Sequence, residues 1–170
     1  MDSKRPVLLF GIICGIVLTI YVRMLDISRV IYNTSWGAWL GYLAILILPV
    51  CIFLALRELR KKQETFRYRH ALLAGLLVSC ITATIYSAYM FVDIYFFDAR
   101  HLNNLFEYTV SSMKKDGYNA AAIQEKILRM KNHYFSVKPY ISTYVWYLVL
   151  GSFFSSVFFF FLRKSNKNLI

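Results

Sequence analysis

The side chains of this sequence that could do chemistry form polar stripes inside otherwise apolar stretches. At about 100° per residue, polar residues of two stretches each fall on one face of a helix. They are Ser79, Thr82, Tyr86, Tyr89 and Asp93 in the earlier stretch, and Tyr140, Tyr144 and Tyr147 in the later one. If the two stripes face each other inside a membrane, they predict a narrow hydrated path.

Asp93 is open to two interpretations. A carboxylate inside a membrane is costly and commonly marks an ion or substrate route. Asp93 also lies close to Asp98, so it is placed to sit at headgroup depth and to pair with Arg23, Arg29 or Arg100. In that case the tyrosines are interfacial anchors or interhelical hydrogen-bond donors. The pattern favours this structural interpretation and leaves the hydrated path as the alternative.

Nothing else in the sequence predicts catalysis or a cofactor. It contains no GxSxG, HExxH or glycine-rich phosphate loop. His70, His101 and His133 are far apart and share no metal-ligand spacing. The three cysteines lie within apolar stretches, where we expect them to be packing residues. We therefore expect a non-enzymatic protein without a metal or a cofactor.

The composition indicates a membrane protein. Of the 170 residues, 58% are hydrophobic and 17% charged, whereas soluble domains carry about 25% charged residues. The apolar residues form four blocks close to the length of about 20 residues that crosses a bilayer. The blocks are residues 7–25, 36–56, 71–97 and 139–162. The sequence predicts a single all-α membrane domain with four transmembrane helices, in which Arg23 snorkels outward from the first.

Short basic segments predict the orientation. They precede the first block, link the second to the third over residues 57–69, and follow the fourth from Arg163. Such segments are retained in the cytoplasm, so we expect both termini there, in a multi-pass protein of the inner membrane. The net charge of +11 then indicates contact with anionic lipid headgroups at the cytoplasmic face rather than with nucleic acid.

Residues 98–138 predict an extracytoplasmic helical hairpin between the third and fourth membrane helices. Apolar residues recur at helical spacing in both halves of the segment. Gly117 is suited to a left-handed cap, and Asn119 is suited to begin the second helix. We expect the hairpin to be a spacer whose apolar stripes face inward, with a ligand lid or a partner-docking surface as alternatives.

Small residues predict where the helices pack. Lipid provides no hydrophobic drive between helices, so small side chains allow the backbones to approach closely. A ridge follows every fourth residue from Ala71 in the third helix, and two GxxxG pairs lie in the first two helices. The predicted packing residues are Gly75, Ser79, Ala83 and Ser87 in the ridge, and Gly11, Gly15, Gly37 and Gly41 in the pairs.

The layout resembles a known family. The resemblance rests on the basic linker RELRKKQETFRYRHALLAGLL, the aromatic segment IYSAYMFVDIYFFD, the segment NAAAIQEKI and the final helix. These are similar to a domain-of-unknown-function family of small four-helix inner-membrane proteins of Gram-negative, Bacteroidota-type bacteria. The resemblance covers nearly the whole chain and implies the fold. It implies no activity and no site residue.

These observations predict a protein that works by interaction, either as a scaffold or as an accessory subunit. Its partner is expected to be the lipid bilayer together with a second copy of the chain or another membrane protein. The alternative is a small transporter or channel lined by the polar stripes of the third and fourth helices. Four short helices rarely enclose a substrate site alone, so this alternative requires an oligomer.

Overall fold

The structure is a computed structural model that describes residues 5–28, 36–62, 66–96 and 100–164. Within these ranges the chain forms six helices. They are α1 (Arg5–Ile27), α2 (Gly37–Lys61), α3 (Tyr68–Phe96), α4 (Arg100–Lys115), α5 (Ala120–Tyr134) and α6 (Lys138–Lys164). Helices α1, α2, α3 and α6 are long and apolar enough to cross a membrane. The prediction of four such helices is therefore confirmed.

Each of these four helices extends past its predicted apolar block at one end or both. The additional turns are rich in lysine and arginine, as in the last turn of α2, where Arg60 and Lys61 lie. Lysine and arginine are good helix formers, so the helix continues beyond the residues that a hydropathy pattern detects. Helix α2 also continues through Pro49.

Helix α3 packs against all three other membrane-length helices. A Cβ atom added to Gly11 of α1 would lie 3.0 Å from Cβ of Ile81, and one added to Gly15 would lie 2.8 Å from Cβ of Ile85. From the first pair to the second, the residue number rises by four in both helices, so α1 and α3 run parallel. Because Gly11 and Gly15 have no side chains, the β-branched side chains of Ile81 and Ile85 fit directly against the backbone of α1.

The main hydrophobic core fills the half of the bundle where α1 and α3 begin. We call this the basic end, because Arg57, Arg67, Arg69 and Arg163 are exposed there. Its buried residues are Val7, Cys14, Leu48, Cys51, Ile52, Ala55, Leu56, Leu59, Ala71, Ala74, Val78, Phe159 and Leu162. Two cysteines are thus packing residues, as predicted. The third, Cys80, is exposed on the outside of the bundle.

Helices α4 and α5 form a helical hairpin, and the side of the membrane on which it lies stays a prediction. The turn between them contains Gly117 with a φ of 79°, a left-handed conformation that favours glycine. The Asn119 side chain then accepts a hydrogen bond from the Ala122 N–H at 2.8 Å and caps α5. Both local predictions are confirmed.

The hairpin rests on the opposite end of the bundle, which we call the hairpin end. Ile94 of α3 and Leu102 of α4 are buried there, together with Phe106, Tyr134 and Tyr140. Burial raises the pKa of Tyr134 above its ordinary value, so this phenol stays neutral at physiological pH. The contact fixes the base of the hairpin to the last turns of α3 and the first turn of α6.

Candidate functional site at the hairpin end

A buried polar cluster joins α1, α3 and α4 at the hairpin end. Arg23 Nη1 donates to Asp93 Oδ1 at 2.7 Å and lies 3.8 Å from Asp26 Oδ2. The Asn104 amide donates to Asp26 Oδ1 at 3.2 Å. Asp26 is fully buried and Asp93 is 4% exposed. The cluster therefore ties the hairpin to the membrane helices through charged and amide groups.

Arg23 does not snorkel outward as predicted. Its side chain is only 27% exposed, because it turns inward to the two aspartates. A buried carboxylate without a cation is strongly unfavourable, and this cost outweighs the gain from placing the guanidinium in water. Of the three arginines expected as partners of Asp93, Arg23 is the partner within the described residues. The side chains of Arg29 and Arg100 lie outside the described residues.

A small cavity adjoins the cluster. It measures about 30 Å³, which is room for one water molecule. Its lining combines polar and apolar side chains from α1, α3 and α4: Val22, Tyr86, Tyr89, Met90, Asp93, Ile94 and Leu102. Three residues of the predicted α3 stripe therefore meet at one cavity, and the hairpin residue Leu102 forms part of its wall.

The other two stripe residues of α3 turn to different neighbours. Ser79 faces α6, where a Cβ added to Gly151 would lie 2.0 Å from the Ser79 oxygen. Thr82 faces α1 and donates to the Gly11 carbonyl at 3.3 Å. Both side chains are fully buried. They pack at two separate helix interfaces.

The α6 tyrosines also make contacts between helices. The Tyr144 hydroxyl donates to Thr84 Oγ1 at 2.7 Å. The ring of Tyr147 lies 6.2 Å from the ring of Tyr86, measured between centroids, and Tyr140 packs in the core at the base of the hairpin. These contacts agree with the structural interpretation, in which the tyrosines join α3 to α6.

Helices α3 and α6 approach each other closely where they cross. A Cβ added to Gly75 would lie 2.7 Å from Cβ of Ser155 and 3.1 Å from the Gly151 carbonyl oxygen. A Cβ added to Gly151 would lie 2.8 Å from Cβ of Ser79 and 3.2 Å from the Gly75 carbonyl oxygen. Gly75 thus contacts Ser155, and Ser79 contacts Gly151. The residue number rises along α3 while it falls along α6, so the two helices run antiparallel.

The remaining predicted packing residues fall into two groups. In α3, Ala71, Gly75, Ser79, Ala83 and Ser87 are all buried. In α2, an added Cβ at Gly41 would meet nothing within 4 Å. The surroundings of Gly37 lie outside the part of the chain that the structure describes. Gly41 is therefore not in a close helix contact among the described residues.

Sequence reasoning did not identify Asp26 and Asn104 as members of the site. Asp26 lies three residues after Arg23, a spacing that brings two side chains together on a helix, and this was the available signal. Asn104 carried no such signal, because its neighbour is distant in the sequence. Among the described residues, no group of three or more His, Cys, Asp or Glu side chains is arranged to hold a metal ion.

The four apolar helices and their buried ionic cluster define a multi-pass membrane protein of the all-α class. Residues 8–164 match the family described as "Protein of unknown function (DUF4199)", and the chain belongs to this family. Comparisons with curated proteins and with solved structures gave no significant match. The resemblance to a domain-of-unknown-function family is confirmed, and the bacterial group stays a prediction.

Proposed function

We propose that this protein works by interaction, as a non-enzymatic scaffold or accessory subunit in the inner membrane of a Gram-negative bacterium. The observation that carries this proposal is that several polar side chains of α3 and α6 make contacts between helices. Ser79 packs on α6, Thr82 bonds to α1, and Tyr144 bonds to Thr84. These three contacts hold neighbouring helices together.

The face of α2 around Gly41 is the surface that we assign to a partner helix. An added Cβ at Gly41 would meet nothing within 4 Å, and Ile45, one turn further along the same face, is 40% exposed. Glycines permit close approach of a second helix in lipid. Gly75 and Gly151 are already in contact inside the bundle, whereas Gly41 is open.

We further propose that both termini lie in the cytoplasm and the hairpin outside it. The support is the grouping of exposed arginines at the basic end, which includes Arg57, Arg67, Arg69 and Arg163. Basic residues next to membrane helices are retained on the cytoplasmic side and attract anionic headgroups there. A tag after residue 170 that reacts only with a periplasmic reagent would contradict this orientation.

The interaction proposal is tested by purifying the tagged protein from native membranes in mild detergent and identifying what accompanies it. We expect a stoichiometric second protein or a homo-oligomer. Gly41→Leu should reduce this association at least tenfold without lowering the melting temperature. Ala88→Leu is the matched control, because Ala88 is a small exposed residue on another helix. A protein that purifies alone, or an association that both variants reduce equally, would contradict the proposal.

A small oligomeric transporter is the second candidate, and the cavity beside Asp93 favours it. Tyr86, Tyr89 and Asp93 supply polar groups around a water-sized space. Asp93→Asn distinguishes the two candidates in a strain with a measurable deletion phenotype. Loss of function with unchanged abundance and oligomeric state would support transport. Loss of abundance or assembly would assign Asp93 to structure.

A further inference from the structure

The two helices of the hairpin leave an open groove between them. It has a volume of about 400 Å³ and is widely open on one side. Phe106 and Val110 of α4 and Ile127 of α5 form its floor, and all three are only half-buried. The rim is polar and consists of Glu107, Ser111, Lys114 and Lys131. The hairpin therefore exposes an apolar surface that its own helices do not cover.

The rim of the groove carries two lysines that the described residues do not neutralise. Lys131 Nζ lies 5.9 Å from the centre of the Phe106 ring. Neither Lys114 nor Lys131 is in an ion pair within the described ranges. On the outside of the same hairpin, by contrast, Arg129 is paired with Glu125. With Glu107 as the one acid of the lining, the rim has a net positive charge.

The hairpin that carries the groove adjoins two membrane-length helices. Helix α4 begins at Arg100, just after α3 ends at Phe96, and α5 ends at Tyr134, just before α6 begins at Lys138. Both ends of the hairpin are thus attached to membrane-length helices. From position 106 to position 114 the groove follows α4 for about 12 Å, at about 1.5 Å per residue. The end of the groove at Phe106 lies about 9 Å along α4 from Arg100, so it is the part of the groove nearest to the membrane-length helices.

We propose that this groove binds anionic phospholipid from the leaflet that adjoins the hairpin. The ammonium groups of Lys114 and Lys131 contact lipid phosphates, and Phe106, Val110 and Ile127 contact the glycerol and the upper acyl chain. Apolar area combined with basic residues is what holds helices at an anionic membrane surface. A phospholipid matches both parts of the groove and is supplied by the same bilayer. This inference is independent of the proposed function and of the orientation.

The test uses the full-length protein in nanodiscs of phosphatidylcholine, with and without phosphatidylglycerol. Native mass spectrometry counts the phosphatidylglycerol molecules retained and gives their Kd. The double variant K114Q/K131Q removes both rim charges. The matched control K115Q/K126Q removes two charges from exposed lysines of the same hairpin that do not line the groove. Each lysine in the groove is expected to increase the binding constant for an anionic surface about fivefold.

We therefore expect K114Q/K131Q to weaken phosphatidylglycerol binding about twentyfold or more, and K115Q/K126Q to weaken it less than threefold. Ile127→Gln should also weaken binding while the charge is unchanged. Equal losses in the two double variants would show general attraction alone and would overturn the proposal. Unchanged binding in K114Q/K131Q would overturn it as well. Displacement of the lipid by inorganic phosphate would show that the site binds the phosphate without requiring the acyl chain. This result would also overturn the proposal.

Discussion

The membrane helices are held by two contacts of opposite chemistry. At the crossing of α3 and α6, glycines at positions 75 and 151 remove side chains and bring two backbones together. At the hairpin end, Arg23 and Asp93 join α1 to α3 through an ion pair of 2.7 Å. The crossing tolerates no added volume and does not depend on charge. The cluster has room for a water-sized cavity beside it but depends on the balance of its charges.

The largest effect should come from adding volume at the crossing. Gly75→Leu places a Cβ 2.7 Å from Cβ of Ser155, where rotation of the serine hydroxyl gives no relief. We expect the free energy of unfolding to fall by about 3 kcal/mol, measured by denaturant titration in mixed micelles. Gly41→Leu is the control, and it should change stability by less than about 0.5 kcal/mol. Similar losses in both variants would contradict the assigned crossing.

The second effect tests the charge balance of the cluster. Arg23→Gln leaves buried carboxylates without their cation, which costs about 3–5 kcal/mol for a fully buried pair. Since the Arg23 side chain is 27% exposed, we expect a smaller loss of about 2 kcal/mol. The double variant Arg23→Gln/Asp93→Asn should recover part of it. The exposed pair of Arg129 and Glu125 is the control, and Arg129→Gln should cost about 0.5 kcal/mol or less. Strictly additive single effects would show that Arg23 and Asp93 are not coupled.

A third change tests whether the hairpin opens separately from the bundle. Asn119→Ala removes the side chain that caps α5, and such caps are worth about 1 kcal/mol. Hydrogen exchange of the first amides of α5 should become about fivefold faster. The amides of α3 and α6 should exchange at unchanged rates. Faster exchange throughout the chain would show that the hairpin and the bundle unfold as one unit.

The smallest effect separates hydrogen bonding from packing at the interface of α1 and α3. Thr82→Val keeps the shape of the side chain and removes its bond to the Gly11 carbonyl. Hydrogen bonds between membrane helices average about 0.6 kcal/mol, so we expect a loss of this size in the same titration. A loss as large as that of Gly75→Leu would mean that polar contacts dominate both interfaces.

Local signals made much of the fold predictable. The apolar blocks located the four membrane-length helices, and Gly117 and Asn119 located the turn and the cap of the hairpin. Each of these features is decided by a short segment of sequence. The ends of the membrane-length helices were less predictable, because basic residues extend a helix without contributing to the hydropathy that reveals it.

The candidate site was predictable only in part. Asp93 and its arginine partner were anticipated, but Asn104 was not. The stripe of α3 was read as one face, yet Ser79 contacts α6 and Thr82 contacts α1. A central helix has neighbouring helices on several sides. Helical periodicity predicts the direction of a side chain around the helix axis, but it does not predict which neighbouring helix that side chain contacts. Only the tertiary arrangement shows that these residues belong to separate interfaces.

The separation of Arg23 from its partners along the chain has a consequence for biogenesis. Asp93 is synthesised 70 residues after Arg23, and Asn104 follows Asp26 by 78 residues. At about 5–20 residues per second, translation of that interval takes about 4–14 s. During this time α1 is present without the carboxylate of α3 that pairs with its arginine. The ion pair between α1 and α3 therefore forms only after α3 has been synthesised, and an insertion factor would encounter Arg23 while it is still unpaired with Asp93.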